Sequence, residues 1–561
     1  MLKADFSSLT AMHRDACAKF GPRAALRYRH DCTWHQFSWD DYRREADFLA
    51  AGLIELGVKS GDRVAILSEN RWEWLVADHA ILATGAADVP VHAPSTAAQI
   101  QYQLAHCGAC AAVVSTAEQW AKLASVLDQL PELRFVVVLD ARPENSPIAT
   151  YTWDAVRQMG FRAGDAGRQE IEARQAAVTP ESLATIIYTS GTTSRPKGVM
   201  LSHGNLLTNS AAGTIVNGHD CMDVILNWLP LSHVFARLSD HYSSSRTGVT
   251  IAIAQSATTV LDDVREIQPT SFTTVPRLME KVWTYLMSLP TTDRAAAAKK
   301  MFGRRLKNLT SGGGPLPVHV ARDLEALGIY VYEGYGLTES SPIISVSRPG
   351  HWKIGSVGRA IEDVEIRIAD DGEILTRGPH VMLGYWRDPQ STAAAIQDGW
   401  LYTGDIGSLD DEGYLTITGR KKDLIVTSGG KNIAPSALEA MLIHDPFIEQ
   451  ALVYGDARPY VCAIIVPRFE RMDEAVRESG GSFTQEDGVV SDKKLRDWYQ
   501  GRVDLALGDL SKVERVKKII VLGRLLSLDQ DELTVTQKVR RAAVFSRYQT
   551  QLDALYLGAP E

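Results

Sequence analysis

Two hydrophobic periods alternate along the first third of the chain. Residues 41–56, DYRREADFLAAGLIEL, carry apolar side chains at the three- and four-residue spacing of an amphipathic helix, and GDRVAIL follows as a short apolar run. WLVADHAILATGA then ADVPVHA, STAAQIQYQLAHCG then CAAVVS, and AEQWAKLASVLDQL then RFVVVLD repeat the order of helix before strand. Such repetition predicts parallel strands with helices on both faces, the doubly wound α/β class, in which ligands gather beyond the carboxyl ends of the strands. Residues 142–182 are rich in Ala, Gly, Pro and charge, and read as irregular surface leading to the apolar strand LATIIYTS.

Near Gly419–Lys422 the sequence GRKK concentrates charge between two strand-like runs, and QALVYGD, YVCAIIV and RVKKIIVLG follow, separated by helical or polar stretches. A boundary falls there. It predicts a large N-terminal α/β domain of mixed sheets over 1–421 and a small α+β domain over 422–561. The length of 561 residues agrees, because one hydrophobic core stops growing at about half that size.

Composition narrows the function classes. Hydrophobic residues make up 45% and charged residues 23%, as in ordinary globular enzymes. A formal net charge of −9 argues against a nucleic-acid binder, which needs a basic surface to displace counterions. The six cysteines are scattered, without the dense spacing of a disulfide framework, and a reducing, cytoplasmic setting is expected. Cys107 and Cys110 form one C-x-x-C with no second pair to complete a zinc site. The first residues lack the continuous apolar core of a signal peptide, and no run of about 18 apolar residues predicts a transmembrane segment. Any membrane contact is then peripheral, at the inner face.

Candidate chemistry begins at 188–198, YTSGTTSRPKG, a loop rich in hydroxyls and glycine directly after a strand and before a helix predicted to start near His203. Backbone N–H groups and the hydroxyls of Thr189, Ser190, Thr192 and Thr193, with Gly191 for flexibility, suit phosphate oxygens, and Lys197 adds a point charge. It is not a Walker A loop, whose lysine follows glycine directly, since Pro196 occupies that place. Taken alone the segment reads equally well as a Ser/Thr-rich surface turn.

The loop is similar to the phosphate-binding loop of the adenylate-forming superfamily, which includes acyl-CoA synthetases, adenylation domains and luciferases. Its usual form ends T-T-G-x-P-K-G, and this chain has Ser194 in place of the glycine. Further matches follow in the family's order: LPLSHVFAR (229–237), TVPRLMEKV (274–282), SGGGPL (311–316), YEGYGLTESSP (332–342), GSVGRA (355–360), LYTGDIG (401–407), GRKKDLIVTSGGKNIAPSALE (419–439) and LTVTQKVRR (533–541). The resemblance spans most of the chain.

It implies a role for each motif. Glu339 resembles the carboxylate that holds Mg2+, beside Thr338 at the α-phosphate. Tyr335 and Gly336 correspond to the adenine-stacking segment, and Gly312 and Gly313 let backbone approach the base. Asp405 matches the carboxylate that takes both ribose hydroxyls, and Arg420 the arginine facing ribose and phosphate. His233 resembles the residue beside the substrate carboxylate, with Trp228 and Phe235 as core or pocket wall. Lys538 is matched to the lysine of a mobile C-terminal domain that reaches the α-phosphate during adenylation. Val535 stands there where the family commonly has proline. Lys422 corresponds to the hinge, and Gly429 and Gly430 to a segment that lines the pantetheine tunnel after rotation.

Within the superfamily the signatures are most similar to long-chain fatty acyl-CoA synthetases. The resemblance thus implies a ligase using ATP, Mg2+ and CoA that converts a fatty acid to acyl-AMP and then to acyl-CoA, as a monomer or homodimer. Arg277 and Ser311 are 34 residues apart, an interval longer in many long-chain enzymes, which implies a shorter or differently gated tunnel. Two alternatives stay open: a fatty acyl-AMP ligase loading an acyl carrier protein, and a catalytically silent acyl or nucleotide sensor.

Overall fold

The computed structural model describes residues 5–140, 146–189, 195–428, 431–508, 510–511, 514–533 and 539–557. The alternation read from the sequence forms as expected. Helix Trp39–Glu55 precedes strand Arg63–Leu67, Trp72–Ala83 precedes Ala87–Val91, and Ala97–Cys107 precedes Ala111–Val114. The first and third of these helices start at side chains that accept from otherwise unbonded backbone N–H groups: Ser38 with Asp41, and Thr96 with Gln99, each form a reciprocal capping box.

These strands belong to an eight-stranded sheet in which Ala149–Thr152, Phe135–Val138, Ala111–Val114, Arg63–Leu67, Ala87–Val91 and Leu183–Thr189 lie side by side and parallel. Lys197–Ser202 and Gly384–Tyr385 add to its far edge antiparallel. A nine-stranded sheet is parallel through Thr250–Ile253, Val224–Asn227, Ser271–Thr274, Asn308–Ser311 and Val331–Gly336, with antiparallel strands at both edges. A third, antiparallel sheet contains Glu373–Arg377, Trp400–Leu409 and Leu415–Arg420. The C-terminal region packs helices Pro435–Leu442, Met472–Ser479 and Lys493–Ala506 with a sheet of Ile448–Tyr454, Cys462–Pro467 and Ile519–Val521 around its own apolar core. The fold is therefore mixed α/β with a small α+β unit after it.

One expectation is corrected. Residues 142–182 are not wholly irregular, because Trp153–Ala176 forms a helix of 24 residues packed on Trp39–Glu55. Its apolar face was hidden by small residues that permit backbone contact. A Cβ on Gly160 would lie 1.8 Å from the Phe48 carbonyl oxygen, and one on Gly52 2.1 Å from that of Val156. Close helix approach, not bulk, fixes this pair. Gly164, at φ 57°, breaks the helical geometry inside it.

All six cysteines are free among the described residues, and burial pushes the Cys107 thiol up to about 12, so the C-x-x-C is an inert pair of core side chains. No helix among the described residues is long and apolar enough to cross a membrane.

Candidate active site

The two strands that bracket the phosphate-loop motif form a hairpin in which Thr189 lies opposite Lys197. Ser190, Gly191, Thr192 and Thr193, together with Ser194, lie outside the described residues. The return arm is anchored by Tyr102, whose hydroxyl donates to the Pro196 carbonyl at 3.0 Å. Helix His203–Asn217 follows, starting where the sequence indicated and capped by Ser202 and Asn205. The Lys197 ammonium donates to Ser391 Oγ at 2.8 Å and lies 4.8 Å from the centroid of the Tyr385 ring.

The same ring leads to the next motif. Tyr385 donates its hydroxyl to Glu339 Oε1 at 2.9 Å. Glu339 sits in the single 3-10 turn Thr338–Ser340 at the end of strand Val331–Gly336, the carboxyl end of a nine-stranded sheet strand. Among the described residues nothing hydrogen-bonds the second Glu339 oxygen. Gly336 is required by crowding, since a Cβ there would fall 1.7 Å from the Pro342 carbonyl oxygen.

Asp405 joins the sheets. Its Oδ2 accepts from the Tyr335 hydroxyl at 2.8 Å, and its Oδ1 pairs with Arg420 Nε at 2.9 Å. Asp405 and Arg420 face each other across adjacent strands, so backbone register places that pair. Burial and the Asp405 charge raise the Tyr335 phenol well above its ordinary pKa, keeping it a donor. Lys422 stands near the same carboxylates: partial desolvation and then Arg420 lower its pKa, while Asp423, Asp405 and Glu339 oppose that shift.

His233 caps the short helix Val234–Ala236, its Nδ1 accepting from the Phe235 N–H at 3.2 Å. The Phe235 ring packs where a Cβ on Gly312 would fall, 3.1 Å away, and Gly313 adopts φ +81° with open space beside it. Thus SGGG and LPLSH meet at one wall, next to His92, whose ring is 6.5 Å from that of His233 and nearly parallel to it. Trp228, packed against the core, is held by its indole N–H donating to the Thr273 carbonyl at 2.7 Å.

Gly429, Gly430 and Lys538 lie outside the described residues, but their flanks are well tied. Thr427 exchanges a backbone bond with Lys431, and Ser428 N–H donates to the Arg458 carbonyl. Leu533 bridges Val539, closing the ends of the lysine-bearing segment, and the buried Glu532 fixes that closure through Arg524 at 2.6 Å and Arg547 at 3.2 Å.

Several groups in this geometry were given no role by the motifs. Tyr385 is one; its neighbours in sequence look like an ordinary strand end. Lys421 is another, bonded to Asp371 at 2.6 Å and Glu373 at 2.7 Å beside the proposed hinge. Asn70 is a third: it donates to the Leu229 carbonyl at 2.6 Å, accepts from Leu231 N–H at 2.9 Å and so shapes the LPLSH loop from 159 residues away. Only the run of motifs in chain order could have pointed near them.

A family model described as AMP-binding enzyme matches residues 13–386, and one described as AMP-binding enzyme C-terminal domain matches 422–559. The chain is 33% identical to the long-chain-fatty-acid–CoA ligase FadD15 of Mycobacterium tuberculosis, over 94% of this chain and 93% of that protein. It is 28% identical to the long-chain-fatty-acid–CoA ligase ACSBG1 of Homo sapiens, over 97% and 84%. Among solved structures, the adenylation domain of a carboxylate reductase from Mycobacterium chelonae has a TM-score of 0.80 at 22% identity, with 99% of this chain and 92% of that chain covered. The anthranilate CoA ligase AuaEII in complex with anthranoyl-AMP has a TM-score of 0.78 at 21% identity, covering 99% and 100%.

Proposed function

Since the chain belongs to the AMP-binding enzyme family, we infer from its site that the residues gathered between its sheets join a fatty acid to coenzyme A through an acyl-adenylate. The activity is that of an AMP-forming acid–thiol ligase. In the first half-reaction a carboxylate oxygen of the acid attacks the α-phosphorus of ATP and pyrophosphate leaves. In the second, the CoA thiol attacks the acyl carbonyl carbon and AMP leaves.

The corner formed by Tyr335, Asp405 and Arg420, with Lys422 and Glu339 within electrostatic range, carries the assignment of roles. Asp405, its orientation fixed by Tyr335 and Arg420, takes the ribose hydroxyls, and the Tyr335 ring serves adenine. Lys197 and the loop before it hold the outer phosphates, and Thr338 faces the α-phosphate. Glu339, with one oxygen uncommitted and a hydroxyl next to it, has the hard oxygen donors that suit Mg2+. When bound, that ion offsets phosphate charge as the in-line attack proceeds. His233 orients the acid. Lys538 supplies the second cation at the α-phosphate, and rotation of 422–561 about Lys422 then exchanges it for the segment containing Gly429 and Gly430.

Long-chain acids are the proposed substrates, with free CoA as acceptor. Peripheral contact with the inner face of a membrane belongs to the same proposal, and Lys281, Lys299, Lys300, Arg304 and Arg305 are exposed along one stretch that such a surface would meet. Acid-dependent pyrophosphate release from C6 to C18, with CoA or a phosphopantetheinylated carrier protein as acceptor, tests both points. Each buried methylene contributes about 0.8 kcal/mol, so rates at limiting acid rise steeply with length until the tunnel ends. A profile that falls from C6 upward contradicts the long-chain assignment, and turnover with the carrier alone contradicts CoA.

A further inference from the structure

We propose that Tyr385 is a positioning residue that aims the Glu339 carboxylate at the magnesium-bearing triphosphate and spaces it from Lys197, a role that rests on the nucleotide-site reading above. Its side chain touches two oppositely charged groups at once, the hydroxyl at Glu339 Oε1 (2.9 Å) and the ring face beneath the Lys197 ammonium (4.8 Å to the centroid). Among the described residues no ion pair joins Lys197 to Glu339 directly. Both charges therefore stay available to a ligand instead of neutralising each other.

The backbone leaves the ring little freedom. Tyr385 pairs with Val199 in the strand that begins at Lys197. Leu383 N–H donates to the Met200 carbonyl at 3.0 Å, Trp386 N–H to Gly198 at 2.7 Å, and Tyr385 N–H to Thr392 Oγ1 at 2.9 Å. Met382 N–H donates to the Glu339 carbonyl at 2.9 Å. Two strands and one turn are thus locked together around one phenol. A glutamate has three side-chain torsions, and a fixed hydrogen bond to one oxygen leaves the other pointing in a single direction. Preorganisation of this kind lowers the cost of ordering the site when ligand arrives.

Tyr385→Phe removes the donor and keeps the ring. The test measures binding of a non-hydrolysable ATP analogue by calorimetry across a magnesium series, with thermal unfolding of the unliganded protein alongside. Loss of a hydrogen bond to a charged group predicts about a tenfold rise in half-saturating magnesium, with magnesium-free nucleotide affinity unchanged. Glu339→Gln produces a shift at least as large, and the double variant adds nothing to it. Tyr385→Leu also removes the ring and weakens magnesium-free binding through Lys197. If Tyr385→Phe leaves the magnesium dependence in place while Glu339→Gln shifts it, or lowers only the unfolding midpoint, the proposal is overturned and the carboxylate's role stands. If Glu339→Gln itself shifts nothing, both fall together.

Discussion

Two polar assemblies before residue 421 are built from similar residue types and differ in how they meet solvent. Around Arg237 every charge is enclosed: Arg237, Asp78, Asp88 and His241 have no exposed surface. Asp78 accepts from Arg237, from His241 at 2.8 Å and from Tyr242 at 3.3 Å, while Asp88 accepts from Arg237 and from Thr185 at 2.7 Å. Around Glu339 and Asp405 the carboxylates are also held by tyrosine hydroxyls, those of Tyr385 and Tyr335, yet the Arg420 paired with Asp405 remains 43% exposed. Exposure of the paired cation, not residue type, separates the two assemblies.

The Arg237 assembly even contains the geometry of a metal site. Asp78, His79 and His241 bring their ligand atoms within 4.8 Å of one another. A cation placed there would face the Arg237 guanidinium at contact distance, and burial lowers the pKa of both histidines so that they remain neutral spacers. Arg237 joins helix Trp72–Ala83, through Asp78, to the eight-stranded sheet, through Asp88 and Thr185.

The largest effect that would break the contrast is on stability. Arg237→Ala strands two buried carboxylates and is expected to cost about 3–5 kcal/mol in denaturant unfolding. A cost below about 1 kcal/mol would place the assembly with ordinary surface pairs. Next comes Lys538→Ala, which at the other extreme should leave the denaturation midpoint unchanged and slow adenylate formation by about 3 kcal/mol of barrier, a hundredfold or more. Stopped-flow comparison of the two half-reactions checks it, since thioester formation from preformed adenylate should be far less affected.

The smallest effect is a pH slope. Burial pushes the Asp240 carboxyl up to about 7, against the hydrogen bonds from Asn227 and Thr273. The folded chain therefore binds this proton more tightly than the unfolded one. Its stabilising contribution is complete below about pH 4 and is lost as pH rises toward 7, at a slope of up to about 1.4 kcal/mol per pH unit. Asp240→Asn should remove that slope in urea unfolding between pH 4 and 7. An identical slope in the variant would assign the titration elsewhere.

Much of this contrast was half-legible in the sequence. Alternating periods announced the parallel sheet because each strand and helix states its own burial locally. The motifs announced Glu339, Asp405 and Arg420 because chemistry clusters them in short runs. The helix Trp153–Ala176 escaped because Gly160, Ala163 and Gly167 stand between Val156 and Ile171 on its contact face and interrupt the hydrophobic period. Arg237 sat inside a recognised motif, but its partners Asp78 and Asp88 lie 159 and 149 residues away, and only the fold brings them together. Tyr385 escaped for the same reason: its partner Glu339 is 46 residues distant.

In the proposed mechanism ATP is consumed by the acid before CoA takes part. ATP–pyrophosphate exchange measured with palmitic acid and without CoA tests it most directly. The prediction is acid-dependent exchange in the absence of any thiol, diminished when Asp405 is replaced by Ala. Exchange that requires CoA, or none with any fatty acid from C6 to C18, would contradict it.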